Sequence, residues 1–353
     1  MGSRQSRVAA HERADVDAGA GADAVLVRKA TIPVETRYEK KKVNVLGRKM
    51  AYCEAGTPGT GKDTHTIVFI HGNPTSSYMW RNVMPHCEHF VGVRLIAPDL
   101  IGMGASDKLD NIDDVNRYSL KEQSRYFAAF LEALGISKNV TFVAHSWGGT
   151  LAAHWASKQT DAQAVRGFVS LEVVYVPFPN WSRVPKKIRG GVKLMLRRPF
   201  KCCCCYSFDL GAHLILKKNL MLESMPDRVN RGLSQEEMEH YRQGYEKGSE
   251  SRRPILSFVR SIPVAGEPAE VVEIMDAGRH WIEMGQGSEV PKLFLSVEPG
   301  TMTPEDRDFI RNWNNVTEVA VRGGHLVTED CPDEVGGAIA KWFQEAVIGL
   351  KRD

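Results

Sequence analysis

The sequence predicts an α/β protein: a mostly parallel sheet covered on both faces by helices and interrupted once by a helical cap. Three observations carry this. Short runs rich in β-branched and aromatic residues recur at 66–70, 94–99, 140–143, 167–172, 292–296 and 316–321, with helix-forming segments among them. That alternation favours parallel strands buried on both faces. Residues 140–156 run from strand through a tight turn into helix, with Ser146 at the turn. From about 176 to 263 the strand pattern is absent and Lys, Arg, Leu and Met dominate.

Taken in order, residues 1–25 are rich in Ala, Gly, Asp and Arg without periodicity and read as a disordered tail. Its opening, Met1-Gly2-Ser3-Arg4-Gln5-Ser6, matches the N-myristoylation pattern with Gly2 as acceptor, against the alternative of an unmodified tail. Residues 26–175 make the first part of the core. A hairpin at 42–56 turns at Gly47, and the strand at 66–70 runs into His71-Gly72-Asn73-Pro74. The strand at 94–99 precedes a glycine-punctuated loop at 101–106, and an amphipathic helix at 120–134 stops at Gly135. Residues 176–263 form the cap, with helical candidates at 208–222 and 234–247. Residues 264–353 complete the core with two strands and a closing helix at 335–346. There are no internal repeats.

Composition excludes several classes. The chain has 353 residues, 42% hydrophobic and 25% charged, and a net charge of +3, well short of a nucleic-acid footprint. It holds no run of about 18 apolar residues, the length a membrane span needs. No apolar segment marks a secretory leader at the N-terminus. Four of the seven cysteines are consecutive, Cys202 to Cys205, which is no disulfide framework and fits a reducing, cytoplasmic compartment. Four adjacent thiols do not close readily around one zinc, so no metal is expected, and no cofactor.

In an open α/β sheet, ligands sit at the carboxyl ends of the strands. Asn73, Ser146, Trp147, Glu172, Glu298 and His325 all stand there. Ser146 needs a base. His325 alone of the 11 histidines follows the last strand. Ala144 and Gly148 are small enough for the sharp turn around Ser146. Nucleophile, acid and histidine in that chain order match the α/β-hydrolase fold, which is the predicted fold. Glu172 and Glu298 are both candidates for the acid that orients the imidazole. The N–H groups of Trp147 and Asn73, backbone and side chain, can converge on a halide or a carbonyl oxygen.

Residues 71–81 (HGNPTSSYMWR) and 97–106 (APDLIGMGAS) resemble the haloalkane dehalogenases and the related Renilla-type luciferases. The similarity runs from about residue 40 to 347 and includes 262–268 and 329–334. It implies halide-holding side chains at Asn73 and Trp147, the base at His325 and the acid at Glu172. At the nucleophile the sequence departs: the family has Asp where this chain has Ser146. A carboxylate displaces halide to give an alkyl ester, which water opens at the carboxyl carbon. Serine would give an ether, which water cannot open that way. The expectation is therefore a Ser146-His325-Glu172 triad acting on a small lipophilic ester or lactone. Dehalogenation, luciferase-like oxygenation and a non-catalytic ligand-binding role are the alternatives.

The stretch 194–206 looks like an insertion relative to the family's cap. Basic and apolar residues flank Cys202, Cys203, Cys204 and Cys205. This composition suits S-palmitoylation beside an acidic lipid surface, or an exposed redox-prone loop. Acyl groups at Gly2 and at this cluster would supply the two signals that peripheral membrane attachment needs. Substrate identity and oligomeric state are not written in these motifs.

Overall fold

The computed structural model describes residues 32–59, 64–196, 200–201 and 207–349. The tail with Gly2 and the cluster Cys202–Cys205 lie outside them, so the acylation readings do too. Residues Ile32–Asp353 group as one compact unit.

The strands are β1 (Lys40–Val45), β2 (Arg48–Pro58), β3 (His65–Ile70), β4 (Val91–Pro98), β5 (Val140–His145), β6 (Val165–Leu171), β7 (Phe200–Lys201), β8 (Ser207–Phe208), β9 (Lys292–Pro299) and β10 (Val316–Gly323). Eight of them form one sheet in the order β1-β2-β4-β3-β5-β6-β9-β10. The pairs β1/β2 and β2/β4 are antiparallel, and every later pair is parallel. The β1–β2 connection is two residues, Leu46 (φ 50°) and Gly47 (φ 79°), the left-handed pair a tight hairpin requires. β5 is buried along its whole length, as expected of a central strand covered on both faces.

The helices are α1 (Leu120–Ala133), α2 (Trp147–Ser157), α3 (Lys186–Leu196), α4 (Leu210–Ala212), α5 (Leu220–Glu223), α6 (Gln235–Arg242), α7 (Arg253–Arg260), α8 (Ala269–Glu283), α9 (Pro304–Arg311), α10 (Val327–Asp330) and α11 (Pro332–Trp342). Ser119 caps α1 by accepting from the Glu122 N–H, and Gly135 (φ 69°) ends it.

The cap differs from expectation in detail. The helix expected at 208–222 is broken into α4, a π-helical turn at His213–Lys217 and α5, because Asn219 takes a left-handed conformation (φ 55°). The helix expected at 234–247 ends at Arg242, because Gly244 (φ 85°) lies against the 101–106 loop: a Cβ there would fall 2.0 Å from the Gly104 carbonyl oxygen. The paired strands β7 and β8 lie in a region expected to hold none. Cap residues Ile215, Leu222, Met225, Ile255 and Phe258 join the same buried cluster as β3 and β5. Among the described residues no helix is long and apolar enough to cross a membrane, and no metal-ligating group of side chains is present.

Candidate active site

Ser146 stands between β5 and α2 with φ 52° and ψ −127°, a strained conformation for a residue with a side chain. Its backbone N–H donates to the Leu171 carbonyl at 3.1 Å, which pins the turn to β6. Neighbouring backbones come too close for side chains. A Cβ on Gly72 would lie 2.5 Å from Ser146 Cβ, and one on Gly148 would lie 2.6 Å from the Ile70 carbonyl oxygen. Within the buried stretch from Val140 to Ala153, only Ser146 and Trp147 reach open space. This is the geometry of a nucleophile elbow.

Two residues that carry N–H groups, Trp147 and Asn73, stand beside the serine turn. The Trp147 N–H opens α2 and has no acceptor within its own helix. Asn73 follows β3, and its Nδ2 donates to the Ile255 carbonyl of α7 at 3.2 Å, leaving the second amide hydrogen free and Oδ1 buried without a partner. The Trp147 ring lies 5.8 Å from that of Phe258, also on α7. One cap helix therefore braces both residues. His71 sets the Asn73 loop. Its Nδ1 donates to the Gly72 carbonyl at 2.8 Å, and its Nε2 accepts from the Leu100 N–H at 3.0 Å. Burial pushes its pKa down to about 4, so it stays neutral.

His325 lies between β10 and α10, partly exposed. Its Nδ1 is 3.1 Å from Glu172 Oε2. Glu172 is buried at the end of β6 with φ 53°. The same Oε2 takes the Thr301 N–H at 2.7 Å and the Thr301 hydroxyl, whose oxygen is also 3.1 Å from His325 Nδ1. Glu172 Oε1 is buried and unpartnered. Glu298, the alternative acid, is elsewhere: the end of β9 runs into solvent, and its exposed carboxylate pairs with Arg307 at 3.2 Å. Thr301, two residues beyond Pro299, occupies the place beside His325.

Sequence reasoning missed Thr301 and His145. His145 is the last residue of β5, and its Nε2 lies 2.7 Å from the His325 carbonyl oxygen. Its position at a strand's carboxyl end was the signal that could have found it. Glu172, His325, Asn73, Ser146 and Trp147 follow the ends of four strands of one sheet, the neighbours β3, β5 and β6 and, beyond β9, β10. Together they offer a hydroxyl, an imidazole backed by a carboxylate, and N–H groups suited to a developing negative charge.

Fold and site together define an enzyme of the α/β-hydrolase class. A family model described as "alpha/beta hydrolase fold" matches residues 65–199. A haloalkane dehalogenase of Sphingobium indicum is 41% identical over 308 residues, covering 87% of this chain and 95% of that protein. One from Mycolicibacterium smegmatis is 40% identical over 316 residues, covering 89% and 93%. The crystal structure of a haloalkane dehalogenase from Bradyrhizobium elkani superposes with a TM-score of 0.76 at 32% identity, covering 88% of this chain and 99% of that one. The chain belongs to the haloalkane dehalogenase family.

Proposed function

We propose that the protein hydrolyses small lipophilic halogenated compounds, with the halogen held by the N–H groups of Asn73 and Trp147 and with His325 as base. What carries this reading is the retention of Asn73, Trp147 and the His325–Glu172 pair around one elbow, in a chain whose relatives are named for dehalogenation. Those relatives support it better than the ester or lactone substrate that Ser146 alone suggests. With serine at the elbow the covalent route through an alkyl ester is closed. His325 Nε2 then takes a proton from water, whose oxygen attacks the halogen-bearing carbon directly. The carbon–halogen bond breaks and the halide leaves toward Asn73 and Trp147, while Glu172 stabilises the imidazolium. Without a carboxylate nucleophile this turnover is slow.

The test is bromide release from 1-bromobutane by the wild type and by His325→Ala, Ser146→Ala and Ser146→Asp. The expected result is slow release that needs His325, survives Ser146→Ala and rises in Ser146→Asp. Wild-type release no faster than that of His325→Ala would sink this reading.

The strained Ser146 itself favours a second reading, acyl transfer. Ser146 Oγ attacks an ester carbonyl, His325 takes its proton and returns it to the leaving alkoxide, and water frees the acyl group. Here Ser146→Ala abolishes turnover of p-nitrophenyl esters, and a fluorophosphonate probe labels Ser146. Light from a coelenterazine-type compound would point to oxygenation instead. Cytoplasmic residence with acyl anchors on Gly2 and Cys202–Cys205 is proposed on composition. Loss of alkyne-palmitate labelling when Cys202–Cys205 become serine tests the cysteine anchors.

A further inference from the structure

We infer that His145 is a positioning residue for this reaction: by donating its Nε2–H to the His325 carbonyl, it fixes the base relative to the nucleophile elbow. The inference rests on the reading of His325 as base.

His145 is 1% exposed, and its Nε2 stands 2.7 Å from the His325 oxygen. A carbonyl offers no proton, so Nε2 must carry the hydrogen and Nδ1 the lone pair. Nδ1 is buried and has no partner. A side chain selected for packing alone would not leave a buried acceptor unpaired. The two imidazoles also touch, with centroids 4.8 Å apart. Burial, with the charges of His325 and Arg228 nearby, holds the His145 pKa well below its usual value. His145 therefore stays a neutral donor when His325 takes a proton.

The base loop is held at three consecutive residues. The Gly324 N–H donates to Asp330 Oδ2 at 2.6 Å, and the Leu326 N–H donates to the Arg228 carbonyl of the cap at 3.2 Å. Only the middle bond, to His325 itself, comes from the strand that carries Ser146. Because residues 145 and 146 are adjacent, that bond ties the base to the elbow by the shortest available path. Glu172 and Thr301 hold the imidazole through Nδ1, whereas His145 holds the backbone from which the ring hangs.

Two substitutions separate donation from packing. His145→Phe keeps the ring and loses the donor, while His145→Gln keeps an N–H and loses the ring. In the full chain, on 1-bromobutane or p-nitrophenyl butyrate, kcat should fall on the order of tenfold to a hundredfold in His145→Phe with KM nearly unchanged. His145→Gln should recover most of that loss. Wild-type kcat in His145→Phe, or a Phe variant better than the Gln variant, would overturn the inference. If His325→Ala instead keeps full turnover, the base reading fails and the catalytic role of His145 fails with it, whereas a kcat loss in His145→Phe alongside a larger loss in His325→Ala supports both. A measurement on the wild type needs neither variant to fold: nitrogen-15 NMR should show His145 as the Nε2–H tautomer. The Nδ1–H tautomer would overturn the inference.

Discussion

Thr301 gives both of its donors, the backbone N–H at 2.7 Å and the hydroxyl, to the one oxygen of Glu172 that also faces His325 Nδ1 at 3.1 Å. That oxygen thereby has one orientation. Thr301→Val keeps the shape and the backbone donor and removes the hydroxyl. Unfolding in urea should show a loss of about 1–3 kcal/mol, the range for a hydrogen bond to a charged buried group. Turnover should fall as well, because the Nδ1–H of His325 loses its second acceptor. Unchanged stability and turnover would mean that the backbone N–H alone fixes the carboxylate.

The two acidic candidates make opposite predictions. Glu172 is buried against His325, and Glu298 is a surface residue paired with Arg307. Glu172→Gln can no longer compensate an imidazolium, and it should reduce kcat by about a hundred- to ten-thousandfold. Glu298→Gln should leave kcat unchanged and alter stability by less than about 1 kcal/mol, as for exposed ion pairs generally. Equal losses in both variants would contradict this assignment.

Much of this was legible in the sequence, for physical reasons. Strands such as β3 and β5 are buried on both faces, so they appear as unbroken apolar runs. The elbow is legible because its turn needs small residues two positions to either side of Ser146, which Ala144 and Gly148 supply. Glu172 could not be separated from Glu298 by position alone, since both follow strands. What separates them is that β6 ends inside the molecule and β9 ends in solvent. Thr301, His145 and the bond from Asn73 to Ile255 depend on contacts between segments far apart in sequence, which no local pattern encodes. The cap helices were misjudged because Asn219 and Gly244 break them for tertiary reasons.

Buried neutral imidazoles should make the fold weaken on mild acidification. Burial lowers the pKa values of His65 and His71 to about 4, and it holds that of His145 well below its ordinary value. In the unfolded chain each takes a proton near 6.5, whereas in the folded chain it does not until much lower pH. Stability is therefore complete above about pH 6.5 and falls as pH drops toward 4. For His71 the span corresponds to about 3 kcal/mol. Urea midpoints between pH 7.5 and 4.5 should decline, and His71→Gln should flatten that decline. A midpoint independent of pH would show that these imidazoles are hydrated.

The cap is tied to the core by buried charges, and breaking one should cost more than the intact group contributes. Arg81 donates to both oxygens of Glu329, at 2.6 and 2.9 Å, and to Glu237 of α6 at 3.2 Å. Arg231 bridges the same two carboxylates, and the Tyr241 hydroxyl also donates to Glu329. The side chains of Arg81, Glu237 and Glu329 are at most 1% exposed. Two guanidiniums against two carboxylates leave no net charge, so desolvation and attraction largely offset each other. Glu329→Gln breaks that balance and leaves two cations, the buried Arg81 and the partly exposed Arg231, facing one anion. Its expected cost is about 3–5 kcal/mol in urea unfolding. Arg81→Met should cost a similar amount by leaving Arg231 alone against the two buried carboxylates. The double variant Arg81→Met/Glu329→Gln keeps Arg231 with Glu237 as a balanced pair, and it should lose clearly less than the sum of the single losses. Because Glu329 lies on α10, just after the His325 loop, Glu329→Gln should also speed amide exchange in residues 325–330 and in α6 together. Additive losses, with exchange raised in only one of those segments, would mean that the charges do not join cap to core.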